Sequence, residues 1–225
     1  MSELAEVLKQ IPDSPATLEF RAIALDPDST AVKSGTGWVL TDGQNKLICA
    51  VGGVKVADVS QGRDCGLLAD EPAFRELKQT FLFKRVQVLT LKDRKVPKTA
   101  NAYVIKRLSS KDSLTHLSQD LRNEIQTALD GGFVLGAWVK DKPVGFAHTP
   151  WITETLADVS IDVLPDYRQR GIGRALVCKL VDSVVSQGLN PVWGAAEDNA
   201  ASLALASSLG FSRPSGILYI AEKGR

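Results

Sequence analysis

Apolar positions recur at intervals of three and four through residues 113–129, where Leu114, Leu117, Leu121, Ile125 and Leu129 mark one face of a helix that Gly131-Gly132 stops. The same period runs through Leu176, Val177, Leu180, Val181, Val184 and Val185, predicting a second helix closed by Gly188. Between them the period switches to two. Val159, Ile161 and Val163 alternate with Asp158, Ser160 and Asp162, so residues 156–163 predict a strand with one apolar and one polar face. Residues 133–139 and 143–149 predict a hairpin about Lys140-Asp141-Lys142, and apolar runs at 102–108, 192–195 and 217–221 supply further strands. Strands and helices alternate, as in the α/β class.

The N-terminal part carries shorter signals. Residues 4–11 and 16–25 predict amphipathic helices, the second introduced by Ser14-Pro15. Residues 37–41 and 46–51 predict a β-hairpin about Asp42-Gly43, a pair that tolerates positive φ. An apolar run at 66–69, a helix over 71–81 with Pro72 at its start and a strand over 86–91 follow. The basic, proline-containing stretch Lys92-Asp93-Arg94-Lys95-Val96-Pro97-Lys98 has no periodicity and predicts a linker or exposed loop. It divides the chain into an α+β region of unassigned role, residues 1–98, and a domain of residues 99–225.

Composition narrows the function classes. With 27 Lys and Arg against 26 Asp and Glu, no global field points to nucleic acid or membrane as a partner. Cys49, Cys65 and Cys178 lack Cys-x-x-Cys spacing, so the expectation is neither a disulfide framework nor a metal site but small, buried or half-buried apolar residues. No basic start leads into an apolar run, and no segment has the apolar length to cross a bilayer, which predicts a cytoplasmic protein.

The candidate chemistry lies at Ile161-Asp162-Val163-Leu164-Pro165-Asp166-Tyr167-Arg168-Gln169-Arg170-Gly171-Ile172-Gly173-Arg174: a strand, a basic glycine turn and a helix start. Glycines let the backbone approach an anion, and the helix offers unpaired N–H groups and the positive end of its dipole. Arg168, Arg170 and Arg174 add full charges. A Walker A loop needs Lys-Ser/Thr where Arg174-Ala175 stand, and a dinucleotide fingerprint needs a small residue where Leu176 stands. The spacing fits Arg/Gln-x-x-Gly-x-Gly/Ala, filled by Arg168, Gly171 and Gly173.

Here the chain resembles the GCN5-related N-acetyltransferases, the GNAT superfamily, whose signature loop holds the pyrophosphate of acetyl-coenzyme A. A second motif agrees: a strand at 192–195, then Asn199, a helix with Leu205 and Leu209, and the ending Leu209-Gly210-Phe211. The resemblance covers residues 102–221 and is strongest over 156–211. It implies a mixed sheet flanked by helices in the C-terminal half. The cofactor-binding residues it implies are Arg168, Gln169, Arg170, Gly171, Ile172, Gly173 and Arg174 around the pyrophosphate, and the backbone of Ile161, Val163 and Leu164 along the pantetheine. Asn199, with Ser202 one turn into its helix, adds to these or serves as an N-cap alone. The implied reaction is acyl transfer from acetyl-CoA, or another acyl-CoA, to a small-molecule or peptide amine.

Two positions depart from the family pattern. Ala157 stands where many members carry a carboxylate, and Ala206 where many carry the tyrosine that protonates the thiolate. Glu154 and Asp158 are the first candidates for the base, with Glu197, Asp198 and His148 as others, and Tyr219 is a candidate acid. These gaps keep open an acyl-CoA-binding sensory module without turnover. Trp138, Trp151 and Trp193 either line an acceptor pocket or pack the core. The region 1–98 is a lid, a substrate domain or a decayed copy of the same fold, since Val51-Gly52-Gly53-Val54 lacks the basic signature.

Overall fold

A computed structural model describes residues 2–44, 46–59, 65–92 and 103–221. The expected linker therefore lies, from residue 93, outside the described residues. The chain packs as two units, one of Met1–Val88, Gly194–Ala200 and Pro214–Arg225, the other of Leu89–Trp193 and Ala201–Arg213.

The first unit opens with helix α1 (Glu3–Gln10), whose first turn is held by the Ser2 hydroxyl accepting from Ala5 N–H. A 3₁₀ turn at Pro15–Thr17 leads into α2 (Leu18–Leu25). Strands β1 (Thr30–Ser34), β2 (Gly37–Thr41) and β3 (Leu47–Val51) form an antiparallel meander. The predicted hairpin is β2–β3, and Asp42 Oδ1 fixes its turn by accepting from Lys46 and Leu47 N–H at 2.7 and 2.8 Å. Strand β1 has no counterpart among the predicted elements, because it buries only Ala31 and Ser34 and leaves Val32 exposed, which erases the apolar alternation. A short helix α3 (Val56–Val59) crosses to β4 (Gly66–Ala69), which pairs parallel to β3. Helix α4 (Glu71–Leu77) starts at the Asp70 cap and stops four residues short of the predicted end, where the N–H groups of Thr80 and Phe81 turn back onto Leu77 O. Strand β5 (Phe83–Leu91) follows.

The second unit holds β6 (Val104–Arg107), α5 (Gln119–Gly131), β7 (Val134–Val139) and β8 (Lys142–His148). The predicted helix over 113–129 begins only at Gln119, after Ser118 accepts from Leu121 N–H. Leu114 and Leu117 are buried in the same cluster as Ile125, Ala128 and Phe146, so the apolar spacing reported burial beyond the helix itself. The predicted strand 156–163 is two strands. Strand β9 (Leu156–Asp158) pairs parallel with β11 (Asn190–Ala196), whereas β10 (Ser160–Val163) pairs antiparallel with β8. Helix α6 (Ile172–Ser186), α7 (Ala200–Ser208) and β12 (Phe211–Ala221) complete the chain. Gly145 admits α6 against β8: a Cβ there would lie 2.9 Å from Ile172 Cγ2 and 3.0 Å from Leu176 Cδ1.

The strands form two sheets, an eight-stranded one in the order β1-β2-β3-β4-β12-β5-β11-β9 and a four-stranded one in the order β10-β8-β7-β6. The fold is thus mixed α/β with strands of the N-terminal half inside the larger sheet, not a mixed sheet confined to the C-terminal half. Cys49 and Cys178 are buried and Cys65 half-buried, as expected. No described helix is long and apolar enough to cross a membrane.

Candidate functional site

The break at Val159 creates the site. Val159 N–H donates to Val192 O at 2.9 Å, and from Ser160 onward the chain pairs with β8 alone, so β10 is the edge of its sheet. Leu164 N–H donates to Val144 O at 2.9 Å, which fixes the antiparallel alternation: Ser160, Asp162 and Leu164 turn their backbone groups toward β8, and Ile161 and Val163 turn theirs to the open edge. Of the three backbone positions expected to meet pantetheine, two thus present free-edge geometry, while the Leu164 N–H is engaged within the sheet.

The loop beyond β10 is bent for an anion. Gly171 has φ +79° and Gln169 φ +58°, both in the left-handed region. A Cβ added at Gly171 meets nothing within 4 Å, so this face of the loop is open. Helix α6 starts at Ile172 with no side-chain cap and no acid in its first turn, leaving its first N–H groups and its dipole for a ligand. Gly173 faces the apolar side of β10, 3.6 Å from Val163 and 3.7 Å from Ile161 if it carried a Cβ.

The arginines are held rather than loose. Arg168 Nε donates to Val163 O at 2.9 Å, and Arg174 donates to Ser208 O and Oγ at 3.1 and 2.9 Å. The Arg170 guanidinium lies 5.4 Å from the Tyr167 ring centre, and the Tyr103 hydroxyl donates to Arg170 O. An edge strand, an uncapped helix start, an open glycine and oriented guanidiniums are the donor set a pyrophosphate with an amide-bearing arm requires.

The other predicted residues scatter. Ser202 Oγ accepts from Trp193 Nε1 at 3.0 Å, and Trp193 packs on Phe211 in the core. Asn199 lies in the first unit just before α7, its N–H donating to Ala196 O. Glu154 is exposed in the turn before β9, and Asp158 is half-buried at the end of β9. Glu197 pairs with Arg85 at 3.2 Å and Asp198 with Lys84 at 3.1 Å. The Tyr219 hydroxyl is hydrogen-bonded to Glu71 and its ring stacks on Phe74 at 3.9 Å. Ala157 and Ala206 are fully buried, with no polar group at either position.

A cluster that the sequence reading only touched lies on the polar face of β10. His148, opposite Ser160 in the β8–β10 register, is fully buried and bonds Glu124 Oε1 on α5 through Nε2 at 3.0 Å. The Ser160 hydroxyl donates to the same oxygen at 3.3 Å. Hydrogen bonding from His148 holds the Glu124 carboxyl below its ordinary range, against the opposing effect of burial. Asp162 is pushed up, by burial first and by the Glu124 charge second. Ser160 and Asp162 were visible as the polar half of the strand alternation; Glu124 gave no signal, because a glutamate on an exposed helix flank reads as solvated surface.

Comparison with known proteins fits this geometry. Residues 102–211 match the family described as Acetyltransferase (GNAT) family. Over 72 residues the chain is 38% identical to the [ribosomal protein bS18]-alanine N-acetyltransferase of Escherichia coli strain K12, covering 32% of this chain and 49% of that protein. The chain therefore spans about half the length of the curated relatives it matches. Among solved structures, a GCN5-related N-acetyltransferase-like protein from Streptococcus suis 89/1591 superposes with a TM-score of 0.71 at 16% identity, covering 97% of this chain and 98% of that one. A tandem GNAT protein from the clavulanic acid biosynthesis pathway superposes with a TM-score of 0.56 at 15% identity, over 99% and 95%.

Proposed function

We propose that this chain transfers an acetyl group from acetyl-CoA to the amine of a small molecule or peptide by direct attack, a reading supported by the match of residues 102–211 to the acetyltransferase (GNAT) family. The observation that carries this reading is the open edge of β10 running into the uncapped start of α6. Ile161 and Val163 bind the pantetheine amides as an added strand, and the N–H groups from Gly171 to Arg174 hold the pyrophosphate with Arg170 beside it.

Acetyl-CoA supplies an activated acyl group; the chain's residues supply position and charge. The Arg168 guanidinium on Val163 O fixes the strand end and leaves the Val163 N–H aimed along the edge, where it supports the oxyanion that develops on the thioester carbonyl. Ala157 and Ala206 leave both usual proton-handling positions apolar. That observation favours one second reading, an acyl-CoA-binding module without turnover.

Calorimetric titration with acetyl-CoA, together with thiol release against a panel of amines and peptide N-termini, separates the two. Binding with thiol release on one amine class is expected. Binding with no release across the panel moves the assignment to the sensory reading, and absence of binding removes both.

A further inference from the structure

On the basis of the acetyltransferase reading, we propose that the acceptor enters as a cationic alkyl ammonium and is received on the α5 face of β10 by Glu124 and Asp162, with Ser160 beside them and His148 as the positioning residue. The face is set by register. Ser160 pairs with His148 and Asp162 with Phe146, so these four side chains share one side of the two strands, opposite the side on which Ile161 and Val163 meet Gly173 of α6. Acyl donor and acceptor thereby approach one short strand from different sides, its edge and its polar face.

The charge on that face is unbalanced. Two carboxylates act on each other here, Asp162 feeling Glu124, with His148 and Arg168 acting on Asp162 in the opposite direction. His148 Nε2 faces a carboxylate, so in the neutral ring Nε2 carries the proton and Nδ1 holds a lone pair. Nδ1 is buried and has no hydrogen-bond partner among the described residues. A fully buried imidazole with one nitrogen committed and the other unsatisfied is costly, and it is tolerated where the ring fixes a functional carboxylate. Glu124 remains half-exposed on its other flank, so the cluster is open to an arriving group. Among the described residues no three His, Cys, Asp or Glu side chains gather to hold a metal ion, so a divalent cation is not the natural occupant.

The proton balance follows. An ammonium donates hydrogen bonds to Glu124 and Asp162 and yields one proton to Asp162, which releases it to solvent after turnover. The neutral nitrogen forms the C–N bond to the acetyl carbon as the C–S bond breaks, and the second proton lost by nitrogen accompanies the departing sulfur as the free thiol. Asp162 is the better base of the two because its burial and the Glu124 charge both favour its protonated form. Glu124, held anionic by His148, keeps the recognition charge in place.

The test begins without cofactor, so that it stands apart from the acetyltransferase assignment. The chain contains two histidines, and His116 bonds Pro143 O away from this cluster, so the ring signals of His148 are a resolved probe in nitrogen-15 spectra. Titration with n-butylamine, phenethylamine or an alanyl tripeptide amide at neutral pH is expected to shift the His148 signals and leave those of His116, while uncharged aniline moves neither. Shifts with no acetyl-CoA binding in calorimetry would retain the cation site and overturn the acetyltransferase reading; acetyl-CoA binding with no shift for any ammonium probe would overturn this proposal alone.

In the turnover assay, Glu124→Gln and Asp162→Asn are expected to keep acetyl-CoA affinity and to raise KM for ammonium acceptors at least about 10-fold, one missing charge-assisted bond being worth roughly 1.5–3 kcal/mol. Asp162→Asn should in addition lower kcat. His148→Gln, whose amide reaches the Nε2 position, should restore most of what His148→Ala loses in KM; equal loss in both with unchanged KM in Glu124→Gln would show that the cluster only packs the fold.

Discussion

The two units of this molecule contain the same crossover built to opposite ends. In each, an antiparallel meander leads through a glycine-bearing loop and a helix to a parallel strand: β3–α3–β4 in the first, β9/β10–α6–β11 in the second. Among the described residues the helix has 4 residues in the first and 15 in the second. In the first crossover, β3 pairs with β4 from Leu47↔Gly66 to Ala50↔Ala69, and Asp70 N–H extends the ladder onto Ala50 O. Two of the loop N–H groups are then bound by side chains: Gly52 N–H by the Asp70 carboxylate at 3.0 Å, Lys55 N–H by Ser34 Oγ at 2.8 Å. The first crossover thus carries an internal carboxylate where the second leaves the start of α6 without a side-chain cap. One topology gives a closed brace or the proposed binding notch, and the choice rests on whether the strand stays with its parallel neighbour or leaves it at one residue, Val159.

This contrast predicts one acetyl-CoA per chain, and the largest effect should come from the glycines at the two loops. Gly171→Val places a branched side chain at φ +79° in the open loop and should weaken acetyl-CoA binding about 100-fold, with backbone strain of about 1–3 kcal/mol. Gly52 occupies φ +75° in the closed loop, where a Cβ would stand 3.0 Å from Gly37 Cα. Gly52→Val should lower Tm while leaving acetyl-CoA affinity unchanged. Calorimetry and thermal melts on the pair decide it; a second equivalent of bound ligand, or lost affinity in Gly52→Val, breaks the comparison.

Asp70→Ala sharpens it further. The carboxylate accepts from Ala73 N–H at the start of α4 as well as from Gly52 N–H. Its removal takes the cap and strands a partly buried donor, a cost of about 2 kcal/mol in urea unfolding. Acetyl-CoA affinity should not change.

The glycine loop proposed to hold the cofactor was legible in the sequence because its information is local. Arg168, Gly171 and Gly173 lie within one turn, and a loop needs only adjacent residues to set its conformation. The split of the central strand left no such trace: Val159 continues the apolar alternation through the break, and only the competing partners β8 and β11 divide it. The Glu124–His148–Ser160–Asp162 cluster joins a helix and two strands across up to 38 residues, a relation set by register and packing rather than by spacing. In the first unit the meander was partly visible through Asp42-Gly43, while β1 hid behind an exposed Val32 and a buried Ser34. Tyr219, attractive as an acid in a linear reading, is stacked on Phe74 and bound to Glu71.

A final prediction, expected to leave the ligand untouched, concerns Glu19 of the first unit. Burial raises its carboxyl to about 7, against the lowering effect of its own backbone N–H in the first turn of α2. The native state therefore binds a proton more tightly than the unfolded chain. The neutral carboxyl contributes stability that is fully present below the unfolded value of 4.5 and is lost as pH rises through about 7. Tm should fall by roughly 5–10 °C between pH 5 and pH 8, and Glu19→Gln should flatten that slope. Acetyl-CoA affinity in Glu19→Gln should match the parent at both pH values, because the titration belongs to the first unit. A slope unchanged by the substitution would move the pH dependence to other groups, and a change in affinity would show that the closed unit feeds energetically into the open one.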